Sequence, residues 1–200
     1  VTLVGRDEQK LEWMRTAALA RADMFGVRAK VDTRRLDAFD PVELQALLAA
    51  ARPRLVVNTA SVQRGRIVTD RPDGWTRLVQ EAGLGMTVLL QARLSLDIAR
   101  AAAAAVPGAH FVNCCYPDVV NPVLAAAGAP VRCGIGNVAI LAHAFAGLLG
   151  PGHRRLRLLA QHAALSAFRR PAADRKGKAP MRLWIGEEEI DDVYARFARV

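Results

Sequence analysis

Apolar and polar positions fall in alternating blocks along this chain, and the blocks repeat in one order. Val1–Val4 is a short apolar run that passes into Gly5-Arg6-Asp7, the pattern of a buried strand feeding a helix. The next stretch, Asp7–Asp23, carries Leu11, Met14, Ala18 and Leu19 at helical spacing and predicts an amphipathic helix. Val27–Val31 predicts a second short strand. Asp40-Pro41 then predicts a helix start, with a capping carboxylate before a proline in the first turn, running to about Ala51.

The clearest strand of the chain is Leu55–Ala60, β-branched at its centre and polar at its end. A loop over Gln63–Asp73 follows, then a long helical stretch over Trp75–Ala105, broken near Gly83 and Gly85. Ala109–Cys115 reads as another buried strand, Pro117–Ala127 as a short helix stopped by Gly128, Val131–Ile135 as a strand and Val138–Leu149 as a helix stopped by Gly150-Pro151-Gly152. Strand and helix alternating at this spacing imply parallel strands joined by right-handed crossovers. The expected fold class is α/β with a doubly wound parallel sheet, in a first domain over residues 1–150. Residues 151–200 change character: Leu156–Leu159 and Met181–Ile185 read as strands, and Glu187–Phe197 as a closing helix. They predict the beginning of a second, α+β domain.

Composition narrows the function classes. Apolar residues make up 52% of the 200, too many for a disordered chain. No apolar stretch reaches the ~20 residues of a membrane span, and no signal segment opens the chain, so the expected location is the cytoplasm. A net charge of +9 invites nucleic acid as a partner. The charge, however, is arginine spread over an alanine-rich chain, and dense only over Arg154–Arg157 and Arg169–Lys178, with few aromatics to stack on bases. Nucleic acid is therefore the minority expectation, and a small molecule the main one, with a homo-oligomer left open. Cys114 and Cys115 are neighbours in a strand and point to opposite faces, so they read with Cys133 as buried free thiols; no metal is expected.

In an open parallel sheet, ligands bind beyond the carboxyl ends of the strands. That draws attention to Gly5-Arg6-Asp7, Asn58-Thr59-Ala60-Ser61, Tyr116-Pro117-Asp118 and Gly134-Ile135-Gly136-Asn137. The Val1–Asp7 segment has the pattern of the second strand of a dinucleotide-binding sheet, whose following loop reads the adenine ribose. An acidic residue there bonds ribose hydroxyls; Arg6 instead offers two hydrogen bonds to a 2′-phosphate, which favours NADP over NAD. His162, after the strand that ends at Ala160, is the histidine best placed for acid–base work.

The order of these landmarks resembles the lactate/malate dehydrogenase family. Val1–Glu12 resembles its second strand and helix, and Val56–Ser61 the strand ending in Thr-Ala-Gly under the cofactor. Ala109–Leu124 resembles the strand ending in Asn-Pro-Val-Asp, Val131–Phe145 the Ile-Gly-Ser-Gly-Thr strand and helix, and Leu158–Ser166 the segment holding the catalytic histidine. The resemblance implies a Rossmann-like protein whose first strand and glycine loop precede Val1, and an NAD(P)-dependent oxidoreductase acting on a small hydroxy or keto acid. It implies a cofactor cleft lined by Gly5, Arg6, Asn58, Thr59, Ala60, Asn113 and Tyr116, with His162 as catalytic proton carrier and substrate contacts from Arg64, Arg66 and His143. The chain departs from the family at Tyr116, where an Asn stands, at Ile140, where the histidine-orienting Asp stands, and at His143, where the carboxylate-clamping Arg stands. Those departures support the alternative of a non-catalytic Rossmann-like binding module. Family-4 glycosidases and saccharopine-dehydrogenase-like reductases share parts of the pattern; Gly136 stands where the glycosidases carry a metal-binding Cys.

Overall fold

The structure is a computed structural model that describes residues 1–38, 40–63, 73–150, 155–161, 164–168 and 179–197. It is mixed α/β with parallel sheets, and divides into two compact units, Val1–Cys133 and Gly134–Val200. Among the described residues no helix is long and apolar enough to cross a membrane.

In the first unit, β1 (Thr2–Gly5) leads into α1 (Glu8–Met24), whose first turn is capped by the Asp7 carboxylate accepting from the Lys10 amide at 3.0 Å. The chain returns as β2 (Asp32–Arg35), parallel to β1 with Thr2 opposite Asp32. α2 (Pro41–Ala51) is capped by Asp40, which accepts from the Val42 and Glu43 amides, both at 3.0 Å, and has the proline in its first turn. β3 (Leu55–Asn58) follows, then α3 (Gly74–Ala82) and α4 (Val88–Ala105), separated at Gly83. A glycine is needed there, because φ of +84° is a region that side chains rarely adopt. β4 (His110–Asn113) pairs parallel with β3, Asn58 opposite Asn113, and α5 (Pro117–Ala126) and β5 (Cys133–Gly134) complete the order β3-β4-β5. The core lies between α2, α4, α5 and this second sheet, around Leu44, Leu48, Ile98, Phe111, Val120 and Leu124.

Strand and helix thus alternate as the pattern predicts, but β1-β2 and β3-β4-β5 form two separate sheets. The strand expected over Val27–Val31 lies later, at Asp32–Arg35. That edge strand is polar and mostly exposed, so it carries no apolar signature; the valines belong to the loop after Gly26. The apolar face expected on α1 is thinly buried too: Leu11 is buried, while Met14 is exposed beside the two-stranded sheet it accompanies.

In the second unit, α6 (Asn137–Leu149) is followed by β6 (Leu156–Ala160), α7 (Ala164–Phe168), β7 (Met181–Ile185), β8 (Glu188–Glu189) and α8 (Val193–Arg196). β6, β7 and β8 form an antiparallel sheet, with Leu158 opposite Leu183. The core here is aromatic: Phe145 stacks on Phe197 at 4.1 Å between ring centres and meets Phe168 edge-on at 5.1 Å. The closing helix expected over Glu187–Phe197 is shorter. Gly186, at φ +65°, turns the chain into β8, and the helix starts only after its Asp192 cap.

Candidate functional site

The carboxyl ends of β3 and β4 meet in a buried polar cluster. Asn58 ends β3 and is 3% exposed; Asn113 ends β4 and is wholly buried. The Asn58 amide nitrogen donates to Asn113 Oδ1 at 3.1 Å and to Ser95 Oγ of α4 at 3.0 Å. Its own oxygen accepts from the Ala60 amide at 3.0 Å, which turns the chain directly after the strand. Asn113 donates to the Cys115 carbonyl at 3.0 Å and to Asn121 Oδ1 at 2.9 Å, and accepts from the Cys115 amide at 3.1 Å. Ser95 donates on to the Gln91 carbonyl at 3.1 Å. Low dielectric strengthens such a network and makes each missing partner costly.

The strand-end loops carry two further features. Cys115 donates its thiol to the Ala60 carbonyl at 2.9 Å, tying the loop after β4 to the loop after β3. Burial pushes that thiol up to about 11, and neighbouring Cys114 adds to the shift. Cys114 is itself raised, first by burial and then by Cys133. All three thiols are free, but Cys133 is exposed rather than buried because it lies on β5, at the end of the sheet order. Tyr116 sits at φ +47°, a left-handed conformation that strains a non-glycine residue and caps α5. Its hydroxyl is raised by burial and then by Cys115.

The structure therefore brings together Asn58, Ala60 and Asn113, with Tyr116 three residues beyond β4 and Thr59 exposed between Asn58 and Ala60. Both side-chain ends of Asn58 and of Asn113 are spent inside the protein. Gly5 ends β1, and a Cβ added to it would meet Leu11 Cδ2 at 3.4 Å, an ordinary contact, so the packing of α1 does not require glycine there. Arg6 is exposed and reaches Asp37 at 3.9 Å, a solvent-exposed ion pair of the kind that contributes little. His143 and Ile140 both lie exposed on α6, in the second unit. Arg64, Arg66 and His162 lie outside the described residues. Ser95, Gln91 and Asn121 join the cluster without any signal in the sequence pattern, since each reads as an ordinary helix residue.

The fold and this cluster define a class: an α/β protein with parallel strands whose polar residues gather at the strand carboxyl ends. No family model matches the chain, and no curated protein matches it.

Proposed function

We propose that this chain belongs to an NAD(P)-dependent oxidoreductase of lactate/malate dehydrogenase-like type, acting on a small hydroxy or keto acid. The observation that carries the reading is strand order. A dinucleotide-binding sheet runs 3-2-1-4-5-6, all parallel. The order β2-β1, a break, and β3-β4-β5 corresponds to such a sheet without its strand 1, with the break where that strand would stand. Arg6 then follows the strand whose loop reads the adenine ribose, and its weakly engaged guanidinium fits a 2′-phosphate. Asn58 and Asn113 hold the loops after β3 and β4 in place, and the exposed Thr59 and Ala60 and the half-buried Tyr116 face the cleft in this reading.

When bound, the nicotinamide supplies or accepts the hydride. His162 is the residue assigned to exchange the proton of the hydroxy acid, with Arg64, Arg66 and His143 as substrate contacts. Titrating the full-length protein with NADH and NADPH, and following nicotinamide fluorescence, tests the reading. Saturable enhancement, stronger with NADPH, is expected; no change with either dinucleotide would sink it.

The second reading is a binding module without chemistry. Exposed Ile140 and His143, where the resembling family holds its orienting and clamping residues, favour it. Turnover separates the two: a His162→Gln variant that binds NADPH but loses activity supports the enzyme, whereas unchanged activity removes the role of His162.

A further inference from the structure

A cavity of about 480 Å³ opens on the second unit, within the size range of small-molecule sites. The end of α6 lines it with Leu148 and Leu149, the β7–β8 hairpin with Ile185, Glu188 and Ile190, and α8 with Arg196. Its wall is thus aliphatic except for two side chains of opposite charge. Register explains how a carboxylate comes to stand there. Glu188 lies opposite Ile185 across the hairpin, so the two share a face of the sheet, and alternation puts the wholly buried Leu183 on that same face. Its neighbour Glu189 lies on the other face, bound to Arg182 at 2.6 Å. Arg196 follows the buried Val193 by three residues, which sets it beside the inward stripe of α8. Among the described residues neither Glu188 nor Arg196 forms an ion pair.

We propose that this cavity binds a free α-amino acid with an aliphatic side chain. Its carboxylate would sit on Arg196, its ammonium on Glu188 and its side chain against Leu148, Leu149, Ile185 and Ile190. The inference is independent of the cofactor reading, since it uses no residue of the β3–β4 cluster. A guanidinium takes a carboxylate through two N–H groups at once, and a carboxylate accepts from an ammonium. Opposite charges on one small cavity suit a zwitterion. A simple acid brings a second carboxylate towards Glu188, and a simple amine brings a second cation towards Arg196, both at a cost from like charge. A neutral polyol sets hydroxyls against the aliphatic wall without partners. An inward-turned acid can also guard the short edge strand β8 against pairing with another sheet, a role that needs neither Arg196 nor the cavity.

Calorimetric titration of the full-length protein with L-leucine, isocaproate, isoamylamine and glycine tests the proposal. Isocaproate is leucine without its amine, isoamylamine is leucine without its carboxylate, and glycine lacks the side chain. Leucine is expected to bind about tenfold more tightly than each of the other three. Glu188 and Arg196 are exposed, so Glu188→Gln and Arg196→Gln are expected to leave the fold intact. Arg196→Gln should lose the preference for leucine over isoamylamine, and Glu188→Gln the preference over isocaproate. No binding of leucine at millimolar concentration overturns the proposal. Equal affinity for leucine and isocaproate, or for leucine and glycine, also overturns it. Undiminished leucine binding in both variants overturns it too, and leaves Glu188 with the guarding of β8 alone. A protein that binds NADPH but not leucine keeps the cofactor reading and loses only this inference.

Discussion

At the scale of single residues, Asn113 carries the most structural weight in the candidate site. One side chain closes the turn after β4, reaches α5 through Asn121 and holds β3 through Asn58. Replacing it with leucine leaves several buried donors and acceptors unanswered, at a cost of about 3 kcal/mol in unfolding free energy. Urea denaturation measures this, and a loss below about 1 kcal/mol would show that the cluster relaxes around the change. Cys115 adds a pH dependence. A thiol is neutral when protonated, so a pKa raised in the folded state means that folding favours the protonated form. Its contribution is complete below the ordinary value of 9.0 and is lost as pH rises towards about 11. Stability should fall over that window, and fall less in Cys115→Ala; an identical slope in both proteins would assign the effect elsewhere. Polar strand ends such as Asn58 and Asn113 are visible in sequence, because asparagine after a β-branched run is out of place unless something bonds it. Gln91 and Ser95 are not visible, because a helix accepts either residue on any face and only the packing of α4 on β3 and β4 decides which becomes buried.

Among the elements, local chemistry sets boundaries wherever a cap or a glycine forces one. The α2 start follows from Asp40-Pro41, and the α3 start from Asp73, which accepts from the Thr76 amide at 2.7 Å. Asp40→Ala should cost about 1 kcal/mol, because two first-turn amides lose their acceptor. Thermal denaturation reads this as a lowered Tm, and an unchanged Tm would mean that solvent serves those amides equally well. The elements that the pattern misplaces are β2 and β8, both short and rich in charge. An edge strand pairs through its backbone, and its side chains need not be apolar, so periodicity has nothing to report. The Arg182–Glu189 pair, at 2.6 Å, joins β7 to β8 across the hairpin and lowers the Glu189 carboxyl, a link that only the three-dimensional register reveals.

At the scale of the whole molecule, each unit has its own core, aliphatic in the first and aromatic in the second. Alternation of strand and helix made the α/β class legible. The separation of the sheets was not, since no local pattern tells which strands will share a ladder. β1 and β3 each pair on one side within their sheets, and Val4, Leu55 and Val57 are exposed on them, an unusual state for strands of such apolar character. The proposed dinucleotide-binding sheet would account for that arrangement, and would place the proposed cofactor across the carboxyl ends of β1, β3 and β4. Hydrogen–deuterium exchange of the full-length protein with and without NADPH tests this most directly, because it reports binding and place together. Slowed exchange is expected at Gly5-Arg6, at Thr59–Ser61 and at Cys114–Tyr116. Unchanged exchange at all three loops in the presence of saturating NADPH and NADH would contradict the account.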